Sequence, residues 1–334
     1  MAYRWKDDPW WSEAPGRPFR LAALGLAVGL PALLFAALVR NAVVQPTTPA
    51  DPISLLAKRM TGDPDRDVRL DAIRELWQGE HKDKVIEALH GAPHAARIEV
   101  ADFLVEQGPE VVPELLGLLF DQRARSAAIG VILRLGPAAA PRLIAELPQS
   151  SDDMTTILFG ILAGLGPAAA EQTVPAARQM LRTGDAVARR AAGEALGQLG
   201  PTAIQAIPDL IAAVGDANLG VRMQCMQTLS GFGAAADSAV PAIAKSLRDP
   251  LATGAACVAL GKIGVAAIEP LAAALDDPAP EVRQAAAEAL GAIGSSAVHV
   301  KDRLLRLSQE DANFRVRRAA GTALDAITAA ANSR

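Results

Sequence analysis

Aromatic side chains are scarce in this sequence. They account for 4% of the 334 residues, while hydrophobic residues of all kinds account for 51%. A core with so few rings has to be built mainly from Ala, Leu, Ile and Val. Ala and Leu have high helix propensities, and small side chains suit closely packed helices. The composition therefore favours an all-α fold.

Cysteine is rarer still. The two cysteines, Cys225 and Cys257, do not make a disulfide framework for a chain of this length. Both stand where neighbouring repeats carry Ala, so we interpret them as small buried side chains. A disulfide between the repeats that hold them is the alternative. In the stretch "VRMQCMQTL", Met223 and Met226 are interpreted as core filler, with a soft-metal patch as the alternative.

An excess of positive charge is also missing. The chain holds 33 Lys and Arg against 37 Asp and Glu, a net charge of −4. A protein that binds a nucleic-acid duplex needs an excess of Lys and Arg against the phosphates. The charge balance therefore counts against nucleic acid as a partner.

Few residues carry recognisable chemistry. Of the four histidines, His90 and His94 have the i, i+4 spacing of a metal site, but Gly and Pro at 91–93 predict that the helix ends between them. No Ser/His/Asp set, phosphate-binding glycine loop or zinc-ligand spacing is present in the sequence. The sequence predicts no catalytic residue, no metal site and no cofactor.

One long uncharged run stands apart at residues 21–39, "LAALGLAVGLPALLFAALV". As a helix it rises about 28 Å, close to the roughly 30 Å of hydrocarbon in a bilayer. Pro31 is tolerated in helices that span membranes. A cleaved signal peptide is the alternative, but its apolar core is usually shorter and its leading segment basic. We expect an uncleaved transmembrane helix at 21–39.

The segments beside this run suggest a topology. Four basic residues lie in the tail at 1–20, against Arg40 alone in the fifteen residues after the run. That bias predicts a cytoplasmic N-terminus in the cell membrane, with the rest of the chain on the non-cytoplasmic side. Residues 40–52 hold three prolines and are expected to form an extended linker. Gly25 and Gly29 form a G-x-x-x-G that would suit a homodimer.

A phrase recurs in the remaining sequence, at 185–200, 276–294 and 311–327. Each unit begins with an acidic turn, continues with a helix, and reaches a glycine of the kind that ends helices. A second helix follows, with proline in or near its first turn. The spacing of about 30 residues is typical of a stacked solenoid. The glycines predicted to end the first helices are Gly108, Gly136, Gly166, Gly200, Gly233, Gly264 and Gly294.

Arginine recurs early in the first helix of several units, just after the acidic turn. We expect each of these arginines to bond an Asp or a backbone carbonyl of its own or the next turn, which would make a ladder along the stack. A row of anion sites is the alternative. The predicted ladder consists of Arg69, Arg189, Arg222, Arg283 and Arg317 with Asp185, Asp216, Asp277 and Asp311.

The phrases "EVRQAAAEALGAIG" at 281–294, "ARRAAGEALGQLG" at 188–200 and "ACVALGKIG" at 256–264 resemble the HEAT repeat family, and within it the short repeats named for phycobilisome lyases. The resemblance implies an α-solenoid, a right-handed superhelix of helical hairpins, over residues 53–334. The units at 92–119 and 150–181 depart from the consensus. Trp77 stands where other units have Gly, and is expected either to cover the end of the stack or to form a binding hot spot.

A solenoid offers a long surface for partners, so the sequence predicts a membrane-anchored scaffold for protein partners. The alternative that the resemblance implies is an accessory enzyme or chaperone subunit of the bilin lyase type. The hydroxylase branch of the family places His-Glu pairs on its helices, and none of the four histidines here is followed by Glu. The candidate contacts on the second helices are Arg142, Glu146, Arg178, Asp209 and Lys245.

Overall fold

The computed structural model describes residues 51–332, and within them every regular element is a helix. The predicted tail, the span at 21–39 with Gly25 and Gly29, and nearly all of the linker lie outside the described residues. A first helix, α1, begins at Pro52, so the last residue of the predicted linker is already helical. Asp51 caps this helix, because its carboxylate accepts a hydrogen bond from the backbone N–H of Ile53.

Eight helical hairpins and a final helix follow α1. The helices are α1 (Pro52–Gly62), α2 (Arg66–Gln78) with α3 (Lys82–Gly91), α4 (His94–Glu106) with α5 (Val112–Leu116), α6 (Arg125–Leu135) with α7 (Ala140–Glu146), α8 (Asp152–Gly164) with α9 (Ala170–Thr183), α10 (Ala186–Leu199) with α11 (Ile207–Ala213), α12 (Leu219–Gly231) with α13 (Val240–Lys245), α14 (Thr253–Ile263) with α15 (Ile268–Ala274), α16 (Pro280–Ile293) with α17 (Lys301–Glu310), and α18 (Phe314–Asn332).

The hairpins stack in two layers. The first helix of each hairpin packs on the first helix of the next, and the second helices form the other layer. Buried side chains from Met60 to Ile327 join into one continuous core, which is rich in Ala and Leu. All-α solenoid packing is therefore present throughout the described chain. His90 is the last residue but one of α3 and His94 begins α4, so the helix is interrupted between them as the sequence predicts.

The turn after each first helix depends on a left-handed residue. The seven glycines predicted to end these helices all have φ between 56° and 94°, a region that disfavours side chains. In the first hairpin the equivalent residue, eleven positions after Arg69, is Glu80, with a φ of 62°. It is the one non-glycine residue with positive φ in the described chain.

Short 3₁₀ turns join the glycines to the second helices. Pro113, Pro208 and Pro241 lie in the first turn of their helices, where a missing N–H costs little. Pro175 differs from the prediction, because α9 begins at Ala170 and the proline lies inside it. Pro175 stands nine positions after Gly166, but the 3₁₀ turn between them ends at Ala169, and the residues from Ala170 onward belong to the helix.

First helices approach one another most closely at small residues. A Cβ on Gly291 of α16 would lie 2.9 Å from the Cα of Ala323 in α18, and one on Gly261 would lie 3.2 Å from the Cβ of Ala292. In α2 this position is Trp77, which is partly buried and meets the Phe103 ring edge-on at 5.8 Å. Trp77 thus lies between two hairpins; neither predicted role, covering the end of the stack or an exposed hot spot, is correct.

One described helical stretch, Arg125–Gln149, is long and apolar enough to span a membrane by length and composition. It is the hairpin α6–α7 with Gly136 between its helices. The next hairpin meets the same criteria only if its helices, bent by 108°, are taken as one span. Apolar stretches of this kind are also expected in the core of a helical repeat.

Candidate functional site

The ladder arginines bond across the stack. Arg189 in α10 donates from Nε and Nη2 to the two carboxylate oxygens of Asp216, at 2.7 and 2.8 Å. Its Nη1 donates to the carbonyl of Gly184, just before its own helix, at 2.8 Å. All three guanidinium nitrogens are therefore used inside the framework, which joins one hairpin to the turn that starts the next.

Other hairpins repeat this arrangement. Arg283 forks onto Asp311 at 2.7 and 2.9 Å, and Arg222 donates to Asp249 at 2.8 Å. Arg69 forks onto Glu99, a residue of α4 rather than of a turn. Arg317 donates only to the carbonyls of its own turn, Asp311 and Ala312, among the described residues.

The carboxylates of the predicted ladder have two different roles. Asp185 caps α10, because it accepts from the N–H of Ala188 at 2.8 Å, and it bonds no arginine within residues 51–332. Asp277 accepts from the N–H of Ala279 and from Nε of Arg248. Arg248 is not one of the predicted ladder arginines. Arg125 was also missing from the predicted ladder. It stands eleven residues before Gly136, which is the distance from the other ladder arginines to the left-handed residue of their hairpins. Its Nε donates to the carbonyl of Leu119.

These bonds shift the acidity of the carboxylates. Hydrogen bonds from Arg189 lower the pKa of Asp216 below its ordinary value of 3.8, although burial of the carboxylate opposes the shift. Arg283 lowers the pKa of Asp311 in the same way, again against burial. The charged form of each carboxylate is thus favoured by folding.

The lowered pKa values predict acid sensitivity. The folded chain binds protons less tightly than the unfolded chain, so the stabilisation is present above the unfolded pKa and is lost as the pH falls through the folded one. We expect the free energy of unfolding to be steady between about pH 7 and about pH 5 and to fall below about pH 4. Urea titrations across this range should show a shallower acid loss in Asp216→Asn; an acid loss as steep as in the unaltered chain would contradict the assignment.

The second helices carry a different set of charges. Arg142 pairs with Glu110 of the preceding hairpin, and both side chains are exposed. Glu146 and Lys245 are exposed and have no hydrogen bond or ion pair among the described residues. Ion pairs as exposed as Arg142–Glu110 add little to stability, because water screens both charges. The second-helix layer therefore offers free charges of both signs.

Two arginines on α9 share one carboxylate. Asp209 of α11 accepts from Nε of Arg178 at 2.5 Å and from Nε of Arg182 at 2.6 Å. The Asp209 side chain is only 9% exposed, whereas those of Arg178 and Arg182 are 30% and 57% exposed. Burial tends to raise the pKa of Asp209, but the bonds from Arg182 and Arg178 hold it below its ordinary value. Arg182 was not among the sequence candidates.

A cleft of about 480 Å³ opens between α13 and α15 in the second-helix layer. Its lining includes the apolar residues Pro241, Ala244 and Ala273 and the charged residues Lys245 and Asp276. Of the five sequence candidates, only Lys245 lines this cleft. Arg178 instead borders a shallower one of about 330 Å³ on α9, together with Arg182.

The rest of the described chain shows little that suits catalysis or metal binding. No group of three or more His, Cys, Asp or Glu with metal-site geometry occurs in residues 51–332. Cys225 and Cys257 are free and buried, and burial raises the pKa of their thiols to about 12 and about 11. Met226 lies in the core as expected, while Met223 is exposed.

Comparison with known proteins identifies the repeats. Residues 174–254 and 248–325 match the family of HEAT repeats, so the described chain contains HEAT repeats over this region. No curated protein matches the sequence.

Solved structures with a similar fold include several helical-repeat proteins. Human deoxyhypusine hydroxylase is 22% identical, with a TM-score of 0.32 over 68% of this chain and 98% of that one. The karyopherin Kap121p, bound to the C-terminus of the phosphatase Cdc14p, is 15% identical, with a TM-score of 0.48 over 82% of this chain and 38% of that one. The CpcE–CpcF complex of phycocyanin lyase from Nostoc sp. PCC7120 is 26% identical, with a TM-score of 0.36 over 56% and 76%.

Proposed function

We propose that this chain is a protein-interaction scaffold, anchored to the cell membrane by residues 21–39, with its HEAT repeats on the non-cytoplasmic side. The repeats support the scaffold role, since stacked hairpins create an extended surface. The uncharged run and the charge bias around it support the anchor and its orientation.

The observation that carries the scaffold proposal is the contrast between the two kinds of charge. The ladder arginines are partly buried and donate hydrogen bonds within the stack, as Arg189 does from all three guanidinium nitrogens. On the second-helix layer, the exposed Lys245 lines a cleft together with apolar residues such as Ala244 and Ala273. Protein-binding patches commonly combine apolar side chains with charged ones around them. The partner is expected to lie along this layer.

A pull-down of the full-length protein from detergent-solubilised membranes tests this. We expect a stoichiometric protein partner, and we expect Lys245→Glu to reduce its recovery several-fold because a rim charge is reversed. Lys262→Glu is the matched control, since Lys262 is an exposed lysine on the first helix α14. The eluate is also examined for visible absorbance.

Three outcomes would contradict the proposal. Recovery without any partner would argue against a scaffold. A coloured eluate without a partner would favour the bilin-lyase alternative. Equal loss of the partner in Lys245→Glu and Lys262→Glu would show that the second-helix layer is not the binding face.

A further inference from the structure

The arginine pair on α9 uses its donors differently from Arg189 and Arg283 of the ladder. Arg178 and Arg182 lie one helical turn apart, and each gives only its Nε to Asp209. Their Nη nitrogens have no hydrogen-bond partner among the described residues. In Arg189 and Arg283, by contrast, Nε, Nη1 and Nη2 are all bonded within the stack.

The geometry holds both guanidinium groups in place. Asp209 gives one oxygen to each arginine and is itself almost fully covered. Because the Nε atoms are fixed, the planar ends of both side chains are oriented without a bound ligand. A guanidinium that is already oriented loses less conformational entropy when it forms further hydrogen bonds.

The local charge is unbalanced. Two guanidinium groups share a single carboxylate, so the cluster keeps one excess positive charge, and the shielded partner is the negative one. The exposed atoms are therefore cationic donors beside Gln179, at a shallow cleft open to solvent. Arginine ends of this kind form paired hydrogen bonds with carboxylates.

The open shape of the cleft and its local donors favour a carboxylate of a protein segment as the ligand. The cleft, of about 330 Å³, has four lining residues that all lie on α9, so it would leave most of a small molecule exposed to solvent. The net charge of the chain is −4, so the attraction of an anion has to come from these local donors. A carboxylate presented by a partner protein needs only the local donors.

We propose that Arg178 and Arg182, held by Asp209, form a binding site for a carboxylate side chain of an acidic segment in the partner protein. This inference rests on the proposed scaffold function and names the chemistry of its partner. Asp209 is then a positioning residue that does not touch the partner, in contrast to its role as a direct contact in the sequence analysis.

Fluorescence anisotropy of a labelled hexaglutamate peptide, with full-length protein in detergent, tests the site. We expect saturable binding that Arg178→Gln/Arg182→Gln weakens about tenfold or more, since two charge-assisted contacts are lost. The matched control is Arg315→Gln/Arg318→Gln, which removes two exposed arginines from α18 in the first-helix layer and should change affinity less than about twofold. A labelled hexaglutamine peptide should not bind.

A conservative variant tests the site even if the double Gln variant does not fold. If circular dichroism shows that the double Gln variant is unfolded, binding of the peptide is measured with Arg178→Lys/Arg182→Lys. This variant keeps both positive charges and loses the planar guanidinium groups. We expect this variant to remain folded and to bind several-fold more weakly. Unchanged affinity in it would overturn the proposal.

Other outcomes separate this inference from the scaffold proposal. Equal weakening by both double Gln variants would show only general charge attraction, and a single-stranded DNA oligonucleotide that binds as well as the peptide would show an unspecific anion site. Either result overturns the inference. If the membrane pull-down still recovers the partner with Arg178→Gln/Arg182→Gln, the site is wrong and the scaffold stands; if no variant recovers a partner, the scaffold itself fails.

Discussion

Gly291→Ala is expected to destabilise the protein by about 1–3 kcal/mol, although alanine is the better helix former. The new Cβ would lie 2.9 Å from the Cα of Ala323, which is backbone and cannot rotate away. Helices α16 and α18 would have to move apart, and the small side chains between them would lose contact. Thermal unfolding followed by circular dichroism should show a midpoint lower by roughly 2–4 °C for each kcal/mol.

Gly160→Ala is the matched control. Gly160 lies in the middle of helix α8, is exposed, and has open space where a Cβ would be placed. The same substitution should therefore stabilise the protein by about 0.5–1 kcal/mol, through helix propensity alone. If Gly291→Ala lowers the free energy of unfolding and Gly160→Ala raises it, the close approach of the first helices, and not helix propensity, explains glycine at 291. A change of the same sign in both variants would contradict this explanation.

Asp311→Ala is expected to cost about 2–4 kcal/mol, because it leaves a largely covered arginine without its carboxylate. Asp311 accepts two hydrogen bonds from Arg283 and one from the N–H of Asn313. The Arg283 side chain is 16% exposed and that of Asp311 is 7% exposed, so water replaces the lost bonds only in part. Chemical unfolding of the full-length protein in detergent measures the loss.

Two variants isolate the cause of that cost. Asp311→Asn keeps an oxygen that can accept from the N–H of Asn313 and removes the charge, so it should retain part of the stability. Glu110→Gln breaks the exposed pair with Arg142 and should change the free energy of unfolding much less than Asp311→Ala does. A loss in Glu110→Gln as large as in Asp311→Ala would show that burial does not decide the strength of these pairs.

The repeat architecture was predictable because every hairpin has to solve the same local problems. Helix ends need a left-handed residue, and glycine supplies it seven times. Glu80 escaped notice because it adopts the same conformation without being glycine, and its position follows only from counting eleven residues from Arg69. Arg125 could have been found by the same count from Gly136.

Contacts between stacked helices were harder to predict. The partner of Arg69 is Glu99, which lies inside a helix, and that of Arg182 is Asp209 on the following second helix. Which side chains meet depends on the register of two packed helices. The sequence showed that Arg178 and Asp209 are charged and lie on second helices. It did not show that the Arg178 side chain pairs with and helps to cover the Asp209 carboxylate.

Side-chain hydrogen bonds between hairpins in residues 51–332 join residues 27 to 35 positions apart, about one repeat. No such bond in this part of the chain bridges a hairpin to one beyond its neighbour. A force applied along the stack would therefore act on every interface between neighbouring hairpins in series. No hydrogen bond in residues 51–332 that spans several hairpins would share the load. The stack should lengthen elastically under this force. It should recover its length as long as the arginine–carboxylate bonds and the core between adjacent hairpins remain intact.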